Sequence, residues 1–187
     1  MAIGAKINFE NTYPLEKLSN DFRKTSFQTP LQNGSSVSLI VQISEDSHEL
    51  LPNVYNLAFG PLNKRRQIDD KIELHHRDYS KVFSTILFSA LRYLTANPDR
   101  YVGIDGSENL RAWYYWRTLQ SNFTYLNEFF NIYGLKYYVR ILRFGKLQYE
   151  DPFDFEDINL HADKIAKVDE WPSQMYNYFI FSLKQKG

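Results

Sequence analysis

The chain has 187 residues, 22 basic against 22 acidic side chains, 14 Tyr, 14 Phe and 3 Trp, and no cysteine. That length suits one domain burying about 70% of its unfolded surface, and a composition 43% hydrophobic and 24% charged excludes a disordered or low-complexity chain. Zero net charge argues against a polybasic nucleic-acid binder or an acidic mimic of nucleic acid, and the missing thiols exclude disulfide frameworks, Cys-ligated zinc, iron–sulfur clusters and thiol catalysis.

The first ten residues carry Lys6 and Glu10 among scattered apolar positions and lack the run of about 7–15 apolar residues that a secretory signal needs. Residues 82–94, interrupted by Ser84, Thr85, Ser89 and Arg92, fall short of the roughly 20 that span a bilayer. A soluble cytoplasmic protein is the expectation. The first clear element is residues 37–43, where Val37, Leu39, Val41 and Ile43 alternate with polar neighbours after the turn signal of residues 32–36. Residues 21–29 are its expected hairpin partner, and residues 54–59 a third strand stopped by Gly60-Pro61. Tyr79, Val82, Phe83, Ile86, Ala90, Leu91 and Leu94 then repeat at helical steps, with Asp78 as N-cap and Asn97-Pro98 as the stop.

Residues 101–104 read as a short buried strand, and Asp105-Gly106-Ser107 turns into a second helix capped by Ser107, with Leu110, Trp113, Tyr114 and Arg117 along one side. Residues 123–131 read as a short helix or partner surface, residues 137–142 as a strand, and residues 176–183 as the closing strand. Between these last two, the acidic residues 150–170 read as a surface excursion. The order β-β-β-α-β-α-β-β predicts a single α+β domain with two main helices and a mixed, mostly antiparallel sheet. Along it the charge is uneven: residues 1–60 carry −2, residues 61–149 carry +6 and residues 150–187 carry −4. An acidic tail of this kind can fold over the basic middle or leave it open to an anionic partner.

Four groups of residues are candidates for function. The turn at Gly106 and Ser107, with Arg111 one helical turn further on, exposes backbone N–H groups at a helix start, where an anion is favoured; Asp78 and Lys81, opening the preceding helix, complete this ligand set. Lys64, Arg65 and Arg66 beside aromatic-rich helices form a nucleic-acid candidate. Trp116, Phe123, Tyr125 and Phe129 fall outside the apolar faces and form a candidate partner surface. Asp69, Asp70, Glu73 and Asp78 crowd His75 and His76, but adjacent histidines point apart on extended backbone, and no metal site is assigned. No Gly-x-Ser-x-Gly elbow, Walker A or Gly-x-Gly-x-x-Gly loop occurs.

In order and spacing, residues 54–60, Asp69-Asp70, residues 78–82 with Thr85, the Gly106-Ser107-x-x-x-Arg111-x-x-x-Tyr115 array, residues 130–134 and residues 176–180 resemble a family of small uncharacterised bacterial proteins, a domain of unknown function. The element order is also remotely similar to the GNAT acetyltransferase superfamily. That similarity implies a pyrophosphate-cradling helix at residues 79–96, acetyl-CoA as cofactor, Tyr115 as general acid and Asp105 or Glu108 as base. The pyrophosphate cradle needs close backbone approach, yet residues 77–81 contain no glycine, and Asp78 would repel phosphate. The expectation is therefore a GNAT-like fold without cofactor, acting as a non-enzymatic binding or interaction protein with a protein partner or a second copy. The resemblance implies an accessory role in a toxin–antitoxin or anti-phage system. The alternatives are an acyl-CoA-dependent acyltransferase and a nucleic-acid binder.

Overall fold

Period-2 apolar patterns build the N-terminal half, and the 3.6-residue pattern of the first long helix covers it. The computed structural model describes residues 4–70, 72–106, 109–141, 153–168 and 176–185. The strands are β1 (Glu16–Lys17), β2 (Lys24–Pro30), β3 (Ser36–His48) and β4 (Leu51–Gly60), then β5 (Tyr101–Asp105), β6 (Phe130–Ile141), β7 (Phe153–Lys164) and β8 (Tyr178–Leu183). The helices are α1 (Tyr79–Ala96), α2 (Asn109–Ser121) and the single turn α3 (Phe123–Leu126). They form one α+β unit on a mixed eight-stranded sheet ordered β1-β2-β3-β4-β5-β8-β6-β7. The pairing of β4 with β5 is parallel and the other pairings are antiparallel.

The expected N-terminal meander is present as β2, β3 and β4, with β3 and β4 prolonged into a long hairpin whose register shifts between Ile43 and His48. Asp78 caps α1 by accepting the Lys81 N–H at 2.9 Å, and Asn97 closes it by donating its own N–H to the Leu94 carbonyl. Three sequence expectations are corrected, two in the strands and one in α2. Within the stretch expected as a surface excursion, residues 153–164 instead form a strand: β7 runs antiparallel to β6 from Tyr133↔Lys164 to Ile141↔Phe153, while residues 150–152 and 169–170 lie outside the described residues. Acidic residues dominated the reading, but Phe153, Phe155, Ile158, Leu160 and Ala162 supply an alternation interrupted once, matching the register shift beside Val139. Likewise, residues 129–131 are not helical; α3 ends at Leu126 and β6 begins at Phe130.

The main core lies between α1, α2 and one face of the sheet, with Tyr93, Leu94, Phe130, Phe179, Phe181 and Ile132 at most 2% exposed. Each ring so buried contributes roughly 1.5–3 kcal/mol through apolar area removed from water. On α2 the buried stripe is Ala112, Trp116 and Leu119, with Leu110 80% exposed. The expected side, Leu110-Trp113-Tyr114-Arg117, has the same helical spacing; periodicity alone cannot choose between two such stripes in a helix this rich in rings. A smaller cluster of Val54, Leu135, Tyr178 and Ile180 covers the opposite face. Among the described residues no helix is long and apolar enough to cross a membrane.

Candidate functional site

In open sheets containing parallel strands, ligands settle beyond the strand C-termini where the connections diverge. Here β4 and β5 pair only through Val54↔Tyr101, Tyr55↔Val102 and Asn56↔Gly103, although β4 continues to Gly60 and β5 to Asp105. The strands part, and α1 and α2 overlie the gap. Its floor and walls are rings and aliphatic groups, among them Phe59, Phe83, Ile104, Tyr115 and Phe179, and they leave only about 30 Å³. A neighbouring cavity of about 140 Å³ lies between β4, α1 and the loop before α1, reached by Asp69, Asp70, His76 and Tyr79. At its edge Gly60 lies so close to the loop that a Cβ would meet the Asp69 carbonyl oxygen at 2.5 Å.

The charged groups predicted for this region are only partly convergent. Arg111 Nη1 lies 3.4 Å from Asp70 Oδ2, joining α2 to the loop before α1. Tyr115 stands edge-on to Phe179, and burial pushes its hydroxyl up to about 12; Arg111 draws it down, while Asp105 and Asp70 push it further up. Beside it the Tyr114 and Thr118 hydroxyls are buried without a well-formed hydrogen bond among the described residues. Burial raises the Tyr114 hydroxyl as well, offset in part by nearby Thr118.

The start of α1 and the Gly106 turn are engaged internally. The Asp78 carboxylate holds the Lys81 N–H, and the Lys81 ammonium lies 4.7 Å from the Tyr13 ring centroid. The Gly106 N–H donates to the Asn177 carbonyl at 2.8 Å. A Cβ there would press on Phe179 at 3.1 Å and on the Ala112 backbone at 3.3 Å. Ser107 and Glu108 lie outside the described residues. His75 is exposed and His76 buried, as expected for neighbours on extended backbone. The His76 Nδ1 is 3.3 Å from Thr29 Oγ1, its ring stands edge-on to Tyr79, and burial lowers its pKa. Among the described residues no group of three or more His, Asp or Glu is placed to hold a metal ion.

Lys64, Arg65 and Arg66 sit at the exposed tip of a turn fixed by Asn63, whose side-chain oxygen accepts the Arg65 and Gln67 N–H groups at 2.8 and 3.0 Å. Arg66 adopts φ 60° there, in the left-handed region. It overhangs a concavity of about 360 Å³ on the sheet, lined also by Gln42, Ser44, Asn56 and Gln67.

Of the four rings assigned to a partner surface, Trp116 does not form one: it is 5% exposed and packs on Tyr176. Phe123, Tyr125 and Phe129 are half-buried against the core, and the last two meet Phe9 at 5.5 and 5.0 Å between centroids. Phe9 belongs to a strap, residues 4–9, that lies between α1 and the α2–α3 corner. A broad concavity of about 1000 Å³ opens beside it, lined by Arg117, Thr124, Tyr125, Glu128 and Phe129 as well as the strap.

Sequence reasoning missed three of the residues that seat the strap: Ser80 and Ser84 on α1, and Asn122 between α2 and α3. The available signal was the hydroxyl pair Ser80 and Ser84, one turn apart on a helix whose apolar face was already accounted for. No curated protein and no solved structure matches the chain. The matching family model, Family of unknown function (DUF6934), spans residues 10–153, from just after the strap into the first residue of β7, and the chain belongs to that family.

Proposed function

We propose that this protein is a non-enzymatic binding module that works through contact with another protein chain. The observation that carries the reading is the gap between β4 and β5: it is packed with rings and retains about 30 Å³. Ligand sites for molecules of cofactor size are concavities of about 300–1,000 Å³. The element order similar to acetyltransferases is therefore combined with a gap too small for an acyl-pantetheine chain. The start of α1 carries its own carboxylate, Asp78, where a cradled pyrophosphate would need free N–H groups. Tyr115, with its pKa near 12, holds its proton firmly and is a weak general acid near neutral pH.

The test is a thermal-shift titration with acetyl-CoA to millimolar concentration. A ligand at 100 times its Kd adds about 2.7 kcal/mol of stability. The expected result is an unchanged melting temperature; a clear, saturable rise overturns the reading in favour of an acyltransferase using Tyr115 with Asp105 or Glu108. The implied setting, an accessory part of a toxin–antitoxin or anti-phage system, is compatible with a module that acts by binding.

A second reading, nucleic-acid binding, is supported by one observation. Lys64, Arg65 and Arg66 project from a turn that Asn63 holds in shape, next to a concavity lined by amide and hydroxyl groups. Cations at such a tip suit phosphate contacts, which position a nucleic acid without reading its sequence.

A further inference from the structure

The four successive N–H groups of residues 6–9 alternate between two walls. Lys6 and Asn8 donate to Ser80 Oγ and Ser84 Oγ of α1, both at 2.9 Å. Ile7 and Phe9 donate to Asn122 Oδ1 and Tyr125 Oη on the opposite wall, both at 2.8 Å. Asn122 Nδ2 donates in return to the Ala5 carbonyl at 2.7 Å. Alternation of this kind is what an extended chain presents. The side chains follow suit: Ala5 and Ile7 are 3% exposed, Phe9 enters a cage of rings, and Lys6 faces solvent.

Every polar contact just described is to the main chain of the strap. Recognition by main-chain hydrogen bonds with pockets for alternate side chains is how protein surfaces take up extended peptides. Moreover, all four acceptors lie within the family match while residues 4–9 precede it, and the open concavity continues alongside the strap. We infer that the cleft between α1 and the α2–α3 corner is an extended-peptide site, held in cis by residues 4–9, which accepts in trans a partner segment with small, aliphatic and aromatic residues at positions i, i+2 and i+4. This rests on the binding-module reading and names the partner's chemistry.

The probe is a fluorescent peptide with the sequence of residues 4–13, titrated by anisotropy against the full chain carrying Ile7→Asp, which places a charge in the strap's buried seat and expels it. The expected result is saturable one-to-one binding to that variant, at least tenfold weaker binding to the unmodified chain, and at least a tenfold loss when Asn122→Ala is added to Ile7→Asp. A folded Ile7→Asp chain that does not bind the peptide overturns the inference. Should Ile7→Asp not fold, hydrogen exchange of the unmodified chain decides: the amides of residues 6–9 should exchange well ahead of those in α1 and β8. Exchange in step with the core means the strap opens only on global unfolding, and this too overturns the inference. Peptide failure with acetyl-CoA still silent removes this cleft alone; stabilisation by acetyl-CoA removes the underlying reading.

Discussion

At the scale of single residues, Asn122 holds the strap with both ends of its side-chain amide. Its side-chain oxygen accepts from Ile7, and its nitrogen donates to the carbonyls of Ala5 and Thr118, both at 2.7 Å. These partners fix the amide orientation, since a flipped side chain would face a carbonyl with an oxygen and an N–H with a nitrogen. Asn122→Ala leaves the buried Ile7 N–H and the Ala5 carbonyl without these partners, at a cost of roughly 1–3 kcal/mol, while the Thr118 carbonyl keeps the backbone N–H of residue 122. Urea denaturation should show this as a lower midpoint with an unchanged slope. Asn122→Asp, which buries a carboxylate and sets one of its oxygens against the Ala5 and Thr118 carbonyls, should cost at least as much near neutral pH. None of this was legible in the sequence, where an asparagine after a helix looks like a routine terminator; its partners in the strap are more than 110 positions away in the chain.

At the scale of elements, the loop before α1 depends on His76. Its backbone bridges Leu31, the Arg77 N–H reaches the Pro30 carbonyl, and the Gln32 N–H reaches the His75 carbonyl, so the loop is tied to the end of β2. His76 is buried there as the neutral imidazole, with a folded-state pKa below the model-peptide value of 6.5. Between that lowered value and 6.5 the unfolded chain binds a proton that the folded chain does not, so stability rises with pH across this window. Urea midpoints should be flat from pH 8 to about 7 and fall on acidification below about 6.5, and His76→Gln should lose most of that dependence. The elements themselves were legible wherever one residue pattern had one solution. The apolar face of α1 and its Asp78 cap, and the alternating β3, were read directly. In α2 two stripes with equal spacing competed and tertiary packing chose; in β7 acidic residues hid an alternation broken by a bulge, and the pairing with β6 reveals it.

At the scale of the whole molecule, the zero net charge conceals a basic middle and an acidic tail, and among the described residues the two meet at Asp163. Asp163 of β7 lies 3.5 Å from the Lys136 ammonium of β6 and accepts a hydrogen bond from Tyr176 at 3.2 Å. The tail thus supplies a partner within the sheet, while Lys64, Arg65 and Arg66 remain exposed at their turn. If these cations bind nucleic acid, retention on heparin should persist at moderate salt and fall when all three are changed to Ala, because each phosphate contact releases counterions. The binding-module reading instead predicts early elution for both proteins, and chromatography at two salt concentrations separates the outcomes.

The position of β8 has a consequence for how the molecule is made. It lies between β5 and β6, yet it is synthesised after every strand it joins. Until residues 178–183 leave the ribosome, the β1–β5 layer with its helix and the β6–β7 hairpin are separate sheets with facing unpaired edges. Phe179 and Phe181 are also missing from the core between them. Nascent chains therefore pass through a stage with open strand edges and exposed rings, the condition under which chains pair with one another instead of with themselves. One late strand joins the two halves into a continuous sheet, so both inner edges stay unpaired until β8 arrives.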